Sequence, residues 1–419
     1  MVRLLRSGAL DLEATEVALR EGMHQLGSRI LEKLLEVEGP QLDSKSVDCG
    51  RGHVARWLGW RPKQLLTVLG PIQIRRSYYY CDVCQKGVHW RDHQWDIEAT
   101  GLSPGVRRMM ARLGSKEPFE EAREDLAELA GLKVVSKQVE RVSEQLGQQA
   151  QDWRPAADSD PKPEAKFYIA YDGTGVPVVR HETEGRPGKQ GPAKTREAKL
   201  GCIFTQTRMD AEGWPKRDPD STSYVGSIET AEQFGWRLYA EAERRGLAQA
   251  GLVIALGDGA PWVWNVAEEH FPTAVQIVDL YHAREHLSQA AKLLFSSSSD
   301  QQAQWLRART EELDGGRVEA VIGALGRRRP KDSAQQAALD KEVNYFRNNV
   351  DRMRYADFRN RGLFVGSGVV EAGCRTIVAQ RLKRSGMHWT VRGANAIIRL
   401  RCLILSGHWE AFWESRSAA

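Results

Sequence analysis

The sequence predicts an α/β protein, in which a mixed-sheet core carries an α-helical insertion and is preceded by helical and cysteine-containing N-terminal units. Four short apolar runs have the length of buried strands, namely residues 167–170, 199–205, 252–256 and 274–278. An amphipathic helix at 230–245 separates two of them, and strands separated by a helix are typical of an α/β layer. A charge-rich helical stretch at 296–360 interrupts this pattern, and apolar helical periodicity returns at 362–413.

Local sequence patterns predict the secondary structure of the N-terminal third. Apolar positions at helical spacing predict a helix over 12–37, and a β-like run follows at 72–80. Ser103 precedes a proline and is a good helix start, because serine caps a helix and proline is tolerated in its first turn. Residues 119–147 have the pattern of helix, turn and helix, and 155–163 that of a linker.

These signals predict six regions. They are an N-terminal helical region (1–45), a degenerate zinc-ribbon-like unit (46–98), a helix-turn-helix-like DNA-binding region (99–155), the first part of the core (164–290), the helical insertion (291–360) and the last part of the core with basic helices (361–419).

Composition excludes several classes of protein. Of 419 residues, 41% are hydrophobic and 27% charged, which is ordinary for a soluble globular chain and excludes wholesale disorder. No stretch approaches the roughly 20 apolar residues of a membrane span, so we expect no membrane partner. Residues 1–7 lack the apolar core of a secretory signal, which favours a cytoplasmic location. Six cysteines are too few for a disulfide scaffold and fit reduced thiols or one metal site.

Two aspartates lie two residues beyond the ends of apolar runs, and each precedes a glycine. Asp172 follows the run that begins at Phe167, and Asp258 follows the run that begins at Leu252. Carboxylates at buried strand ends are costly unless they are paired or bind cations. On neighbouring strands they would repel each other until a divalent cation neutralised them, and oxygen ligands suit Mg²⁺ or Mn²⁺. The alternative is that each Asp-Gly is merely a turn.

A third acid, Glu371, precedes an unusually basic region. Ser367 is placed to cap the helix that carries it. Residues 372–409 contain no Asp or Glu but seven Lys or Arg. Because a solvated surface normally mixes both signs, this pattern favours a cation ligand beside a phosphate-binding surface. The alternative is an ordinary basic helix.

In their order and combination, these motifs resemble the DDE transposases of bacterial insertion sequences, and among them the ISKra-type branch with its Mutator-like relatives. The resemblance covers most of the chain. Its motifs are Cys81-x-x-Cys84, Tyr171-Asp172-Gly173, Gly257-Asp258-Gly259, Val278 to His282, Gly366 to Glu371, Met387-His388-Trp389 and Trp409 to Trp413. It implies an RNase H-like catalytic core that is split by the helical insertion, with DNA as the partner.

The resemblance also implies a mechanism. Asp172, Asp258 and Glu371 would be catalytic and would hold two Mg²⁺ or Mn²⁺ ions at the scissile phosphate. DNA nicked at an element end would then attack target DNA through its 3′-hydroxyl. A homo-oligomer is expected, a dimer in the DNA complex, because two element ends must be joined. An Asp-x-x-His element, here Asp279 and His282, is expected to support the metal carboxylates.

The segment His282 to His286 also matches His-x-x-Glu-His, the spacing of an inverted zinc peptidase helix. Two histidines four residues apart share a helix face, so a zinc site is geometrically possible. No convincing third ligand follows, which disfavours this interpretation.

The segment Gly188 to Thr195 is one glycine short of a phosphate-binding P-loop, and no apolar strand leads directly into it. Its basic residues Lys189, Lys194 and Arg196 predict contact with the DNA backbone. A solvated loop is the alternative.

Cys81 and Cys84 supply half of a possible zinc site, and Cys49 and His53 are the nearby candidates for the rest. The resembled family often has a second Cys-x-x-Cys here, but position 46 is serine. We predict one structural Zn²⁺ on a Cys₃His set, with a ribbon held by its own packing as the alternative.

Further DNA contacts are predicted in two places. The second helix of 119–147 has the position of a recognition helix, with Lys137, Gln138 and Arg141 facing DNA, although a plain helical hairpin has nearly the same pattern. In the basic C-terminal region, the predicted contacts are Arg375, Arg381, Lys383, Arg384, Trp389 and Arg392. Most other tryptophans are expected in the core.

Two other functions stay open from the sequence. One is a DNA-binding repressor derived from a transposase but no longer catalytic, against which the presence of all three acids argues. The other is a structure-specific nuclease with the same metal centre, which joined DNA products would exclude.

Overall fold

A computed structural model describes residues 11–37, 45–157, 165–188, 191–295, 300–327 and 332–417. The chain divides into two compact units, residues 1–149 with 410–419 and residues 150–409. None of the described helices combines the length and the hydrophobicity that a bilayer span requires.

The first unit combines a long helix, an antiparallel sheet and a group of shorter helices. Its elements are α1 (Leu12–Val37), β1 (Ser46–Asp48), β2 (Val54–Thr67), β3 (Gly70–Cys81), β4 (Lys86–Val88), α2 (Trp90–Gln94), α3 (Pro104–Gly114), α4 (Phe119–Ala130) and α5 (Ser136–Asp152). The described strands of this unit pair antiparallel in the order β1-β2-β3-β4.

Local sequence explains most of these elements. The predicted helix over 12–37 is confirmed, and the β-like run at 72–80 lies within β3. The Ser103 hydroxyl accepts a hydrogen bond from the N–H of Val106 (3.3 Å) and so caps α3 as predicted. Gly131 ends α4 in the left-handed conformation, with φ of +66°, which favours glycine.

Strand β2 was not predicted. Gly59 and Pro62 interrupt its apolar pattern, and both residue types are depleted in strands. The register shifts between Trp57 and Gly59, and Gly59 has φ of +124°. The strand therefore tolerates its glycine at an irregularity in the pairing with β3.

The second unit contains the predicted core and its insertion. Its elements are β5 (Lys166–Pro177), β6 (Pro187–Gly188), β7 (Gly191–Pro192), β8 (Thr195–Gln206), β9 (Arg208–Met209), β10 (Pro215–Lys216), β11 (Ser223–Ser227), α6 (Ala231–Arg244), β12 (Leu252–Gly257), α7 (Pro261–His270), β13 (Val275–Val278), α8 (Leu280–Leu294), α9 (Asp300–Asp314), α10 (Val318–Gly326), α11 (Ser333–Asn348), α12 (Tyr355–Asn360), α13 (Gly368–Gly373), α14 (Gln380–Leu382) and α15 (Val391–Leu405). A final helix, α16 (Trp409–Ser417), belongs from Glu410 onward to the first unit.

The main sheet has the strand order β11-β8-β5-β12-β13 among the described strands. Strands β11, β8 and β5 pair antiparallel, whereas β12 and β13 run parallel to β5. Helix α6 connects β11 to β12, and α7 connects β12 to β13. This mixed sheet with its connections is the RNase H-like core that the sequence predicted, and the helical insertion follows β13.

Strand β5 lies in the middle of this sheet, and its first half is fully enclosed. Every side chain from Phe167 to Tyr171 is at most 3% exposed. Both tyrosine hydroxyls of this segment have partners: Tyr168 donates to Gln206 (2.6 Å), and Tyr171 donates to the carbonyl of Val263 (2.6 Å). The packing of this segment fixes the position at which Asp172 follows it.

The insertion begins and ends at neighbouring points of the core. Helices α8 to α12 follow β13, and the chain then returns so that the N–H of Leu280 donates to the carbonyl of Val365 (2.9 Å). Glu371 therefore returns to the sheet although about 90 residues of sequence separate it from β13.

Candidate active site at the sheet edge

Three aspartates lie at one edge of the main sheet. Strands β5 and β12 are parallel, and their register places Asp172 and Asp258 at corresponding positions, each two residues beyond the last pair. Asp279 directly follows β13, and its N–H donates to the carbonyl of Gly257 at the end of β12 (2.8 Å). The carboxyl ends of parallel strands thus place three acids side by side, as in other open α/β sheets.

Asp172 is half-buried where β5 leaves β12 but still pairs with β8. One carboxylate oxygen accepts a hydrogen bond from the N–H of Gly173 (2.6 Å), and the Cys374 thiol lies 3.8 Å from the other. Burial raises the pKa of Asp172; the Gly173 hydrogen bond opposes this rise, whereas the charge of Asp258 adds to it. The surrounding protein therefore compensates the charge of this carboxylate incompletely, which favours a bound cation.

Asp258 begins the turn between β12 and α7. Its carboxylate accepts from the N–H of Ala260 (2.9 Å), and its carbonyl accepts from the hydroxyl of Tyr345 on α11 (2.9 Å). Gly259 has φ of +95°, and a Cβ there would lie 2.6 Å from the Tyr345 ring. The turn thus needs glycine, and the insertion holds it in place.

Asp279 ties the two ends of the insertion together. Its side chain is fully buried. One oxygen accepts from the N–H of His282 (2.8 Å) and caps α8, and the other accepts from the N–H of Ser367, just before α13. Since α13 carries Glu371, this carboxylate fixes the entry of the helix that supplies the third predicted acid.

Glu371 is exposed on α13, and its carboxylate accepts a hydrogen bond from the Ser367 hydroxyl (3.0 Å). The prediction that Ser367 caps this helix is wrong, because its side chain makes no capping bond and binds Glu371 instead. A π-helical stretch, Cys374–Ala379, follows at once. Such distortions of α-helices often occur at functional sites.

The group of closely spaced ligand atoms near this edge includes only one of the three predicted metal ligands. Among the described residues, atoms of Asp279, His282 and Glu371 lie within 4.8 Å of one another, whereas Asp172 and Asp258 do not join that group. Both lie at the same edge of the sheet, because they follow the paired strands β5 and β12 at corresponding positions. Asp279 and His282, predicted in a supporting role, therefore lie next to Glu371.

His282 and His286 lie in different surroundings. His286 pairs with Glu342 (2.7 Å between Nδ1 and Oε2), and its ring stacks on Tyr345 with 3.6 Å between centroids. No metal group in the described part of the chain contains both histidines. This arrangement does not support the peptidase interpretation.

The P-loop-like segment lacks the surroundings of a phosphate-binding loop. Strands β6 and β7 form a short antiparallel pair, and Thr195 then begins a strand instead of a helix. Lys194 is exposed, whereas Arg196 is half-buried and donates to the carbonyl of Glu182 (3.2 Å). Lys189 lies outside the described residues.

Four of the basic residues predicted to contact DNA follow Glu371 and are exposed. They are Arg375, Lys383, Arg384 and Arg392. The Lys383 ammonium donates to the Thr174 hydroxyl (2.5 Å), two residues beyond Asp172. A cation at this position can contact a phosphate that approaches the carboxylates.

Arg381 and Trp389 are instead core residues, which corrects the prediction that they contact DNA. They are 1% and 8% exposed. The guanidinium lies 4.8 Å from the centroid of the indole ring, and the indole N–H donates to the carbonyl of Leu382 (3.1 Å). This cation–π pair joins α14 to the segment before α15.

In the first unit, Lys137, Gln138 and Arg141 are exposed near the start of α5. Lys137 pairs with Glu140 (2.7 Å), and the Gln138 side chain accepts from the N–H of Val135 (3.0 Å). Exposed pairs of this kind contribute little to stability, so these side chains stay available to a partner.

The cysteines of the first unit converge as predicted. Ligand atoms of Cys49, His53, Cys81 and Cys84 lie within 4.8 Å of one another. The sulfurs of Cys49 and Cys84 are 3.7 Å apart, and Nδ1 of His53 is 3.2 Å from the Cys84 sulfur. A tetrahedral zinc with Zn–S distances of about 2.3 Å requires similar edges, about 3.5–3.8 Å. The set therefore fits a zinc ion.

Comparison with known proteins finds similarity to one family over part of the chain. Residues 229–416 match the profile of a family described as an uncharacterised protein family (UPF0236), which is a family of transposase-like proteins. No curated protein matches the chain. Among solved structures, the Drosophila P element transposase strand transfer complex is similar at 10% identity and a TM-score of 0.35, over 75% of this chain and 94% of that chain.

Proposed function

We propose that this protein is an insertion-sequence transposase of the DDE type, which binds element ends and carries out DNA cleavage and strand transfer. The observation that carries the proposal is the gathering of Asp172, Asp258, Asp279, His282 and Glu371 at one edge of an RNase H-like sheet. The transposase-like family that matches residues 229–416 supports it.

We propose that Asp172, Asp258 and Glu371 hold two Mg²⁺ or Mn²⁺ ions, with Asp279 and His282 in support. The donor set fits such ions, since it is dominated by carboxylate oxygens and the pKa of Asp172 is raised by burial and then by Asp258. Bound ions would activate a water or a DNA 3′-hydroxyl and stabilise the leaving oxygen.

The protein's own residues have distinct tasks in this proposal. Asp279 positions Glu371 and His282 through its two backbone hydrogen bonds. The hydroxyl of Ser367 orients the Glu371 carboxylate. Lys383 binds the phosphate backbone near Asp172 and thereby aligns the strand to be cut.

We propose the following roles for the predicted regions. Residues 99–155 recognise element ends through Lys137, Gln138 and Arg141, and the exposed cations after Glu371 bind DNA close to the site of cleavage. Two copies of the chain join two ends. The core, 164–290 with 361–419, performs the chemistry, and the insertion at 291–360 supports the Asp258 turn.

We further propose that Cys49, His53, Cys81 and Cys84 bind one structural Zn²⁺. Purified protein is expected to contain about one zinc per chain, and Cys81→Ser is expected to lose it and lower the Tm by about 10 °C. Metal analysis and thermal unfolding measure both effects. Cys402→Ala is the matched control, because Cys402 is a buried thiol of the second unit and should leave the zinc content unchanged. Zinc-free native protein with an unaltered Tm in Cys81→Ser would exclude the site.

A cleavage assay tests the proposed function. The substrate is a DNA fragment that carries the gene of this protein with its natural flanks, incubated with the full chain and Mg²⁺ or Mn²⁺. Nicks at discrete positions in both flanks, together with joined products, are expected. DNA binding without cleavage would instead indicate a repressor, and cleavage without joined products a nuclease.

A further inference from the structure

Helix α1 has two separate apolar faces, of which its own unit covers one. On the covered face, Leu31 and Leu35 pack against the apolar cluster around Leu65 and Ile72. A Cβ at Gly27 on the same side would lie 3.2 Å from Leu69. This face therefore anchors α1 on the sheet of the first unit.

The second face is a narrow apolar stripe that lies open to solvent in the described structure. It consists of Leu12, Leu19, Met23, Leu26, Ile30 and Leu34, which are 47% to 65% exposed. At 100° per residue these six positions fall within about 80° of arc, and the centre of that arc is roughly 120° from the mean direction of Leu31 and Leu35. An apolar stripe of this length along a helix is unusual on a monomer and marks an interaction surface.

The spacing of the stripe is that of a two-stranded coiled coil. Positions 12, 16, 19, 23, 26, 30 and 33 alternate steps of four and three residues, which is the a/d pattern of a heptad. Five of these positions are apolar, and the other two are Glu16 and Lys33. A seam with one acidic and one basic position pairs favourably in only one orientation.

We infer that α1 forms an antiparallel coiled coil with α1 of a second copy of this chain. The register that sets Met23 opposite the second copy's Leu26 also sets Leu19 opposite Ile30 and Glu16 opposite Lys33. A parallel pair would oppose Glu16 to Glu16 and Lys33 to Lys33, which is repulsive.

Two further points agree with a second copy of the chain as the partner of α1. Lys33 contacts Glu36 at 2.7 Å, but both side chains are exposed, and such a pair is weak enough to exchange for one across the seam. The stripes of two copies bury apolar surface on the order of 1,000 Å², near the lower limit for a specific interface. The dimer is therefore expected to form reversibly without DNA.

Sedimentation equilibrium of the full chain without DNA tests the inference. Wild type is expected to reach twice the mass of one chain as its concentration rises, and Met23→Glu to raise the dissociation constant by a factor on the order of 10². Ala18→Glu is the matched control, because Ala18 is an exposed α1 residue outside the stripe. Glu16→Lys alone should weaken the dimer, and Glu16→Lys combined with Lys33→Glu should restore it.

Several results would overturn the inference. One is a wild type that stays monomeric across 100-fold concentration steps up to about 100 μM. Another is a dimer that Met23→Glu leaves intact. The third is a double charge exchange that fails to restore the dimer weakened by Glu16→Lys. Because no DNA or metal is present, none of these results depends on the proposed catalytic function. Since the replaced side chains are exposed, thermal unfolding of the monomer, measured at a concentration below the dissociation constant, is expected to be unchanged in every variant.

Discussion

Asp172→Asn, Asp258→Asn and Glu371→Gln are each expected to reduce metal-dependent DNA cleavage by about 10³-fold or more, which corresponds to about 4 kcal/mol of transition-state stabilisation. Each change keeps the shape of the side chain and removes the negative charge that a divalent cation needs. DNA binding should persist, because the exposed basic residues are unaltered. Cleavage and gel-shift assays on the same DNA fragment separate the two effects.

Stability measurements show whether such a loss is chemical or structural. In the absence of metal, Asp172→Asn is expected to leave the Tm unchanged or to raise it, because burial and then the charge of Asp258 disfavour the ionised carboxylate and raise its pKa. Asp351→Asn is the matched control, since the side chain of Asp351 is 96% exposed, and it should retain full activity. Wild-type cleavage by any one of the three acid variants would remove that residue from the site.

Asp279→Asn is expected to lower both the stability of the protein and its cleavage rate. The amide can accept one of the two backbone hydrogen bonds, but its NH₂ group would then face the other N–H donor. An unsatisfied donor pair at a fully buried position costs about 2–4 kcal/mol. Denaturant unfolding measures this loss. Because Glu371 would no longer be held, we also expect that a higher Mn²⁺ concentration is needed for half-maximal cleavage.

Asp332→Asn provides the matched control for Asp279. Asp332 caps α11 by accepting a hydrogen bond from the N–H of Gln335 (2.8 Å), and its side chain is exposed, unlike that of Asp279. Asparagine is an equally good cap, so stability and metal dependence should stay near wild type. If Asp279→Asn behaves like this control, the tie between the ends of the insertion has no role in the site.

The main sheet was predictable where its strands are apolar throughout, as in residues 167–170 and 252–256. Strand β11 was missed because serine and glycine give it little strand propensity. Its position depends on tertiary contacts, such as the Asn395 side chain of α15, which accepts from the N–H of Ile228 (2.7 Å). No local pattern encodes such a contact.

The site was predictable in its residue types and less so in its arrangement. Strand-end positions pointed to Asp172 and Asp258, but sequence could not show that Asp279 binds the backbone before Glu371 from 88 residues away. Nor could the sequence show that Arg381 and Trp389 form a buried cation–π pair and are not part of the exposed basic surface, since burial depends on the tertiary fold.

The central proposal is that the acids at the sheet edge together bind divalent cations. Anomalous diffraction from crystals of the full chain grown with saturating Mn²⁺ tests it most directly. We expect an anomalous peak within coordination distance of both Asp172 and Asp258, which disappears in Asp172→Asn crystals. Ordered carboxylates with no peak between them, in crystals that show Mn²⁺ elsewhere, would contradict it.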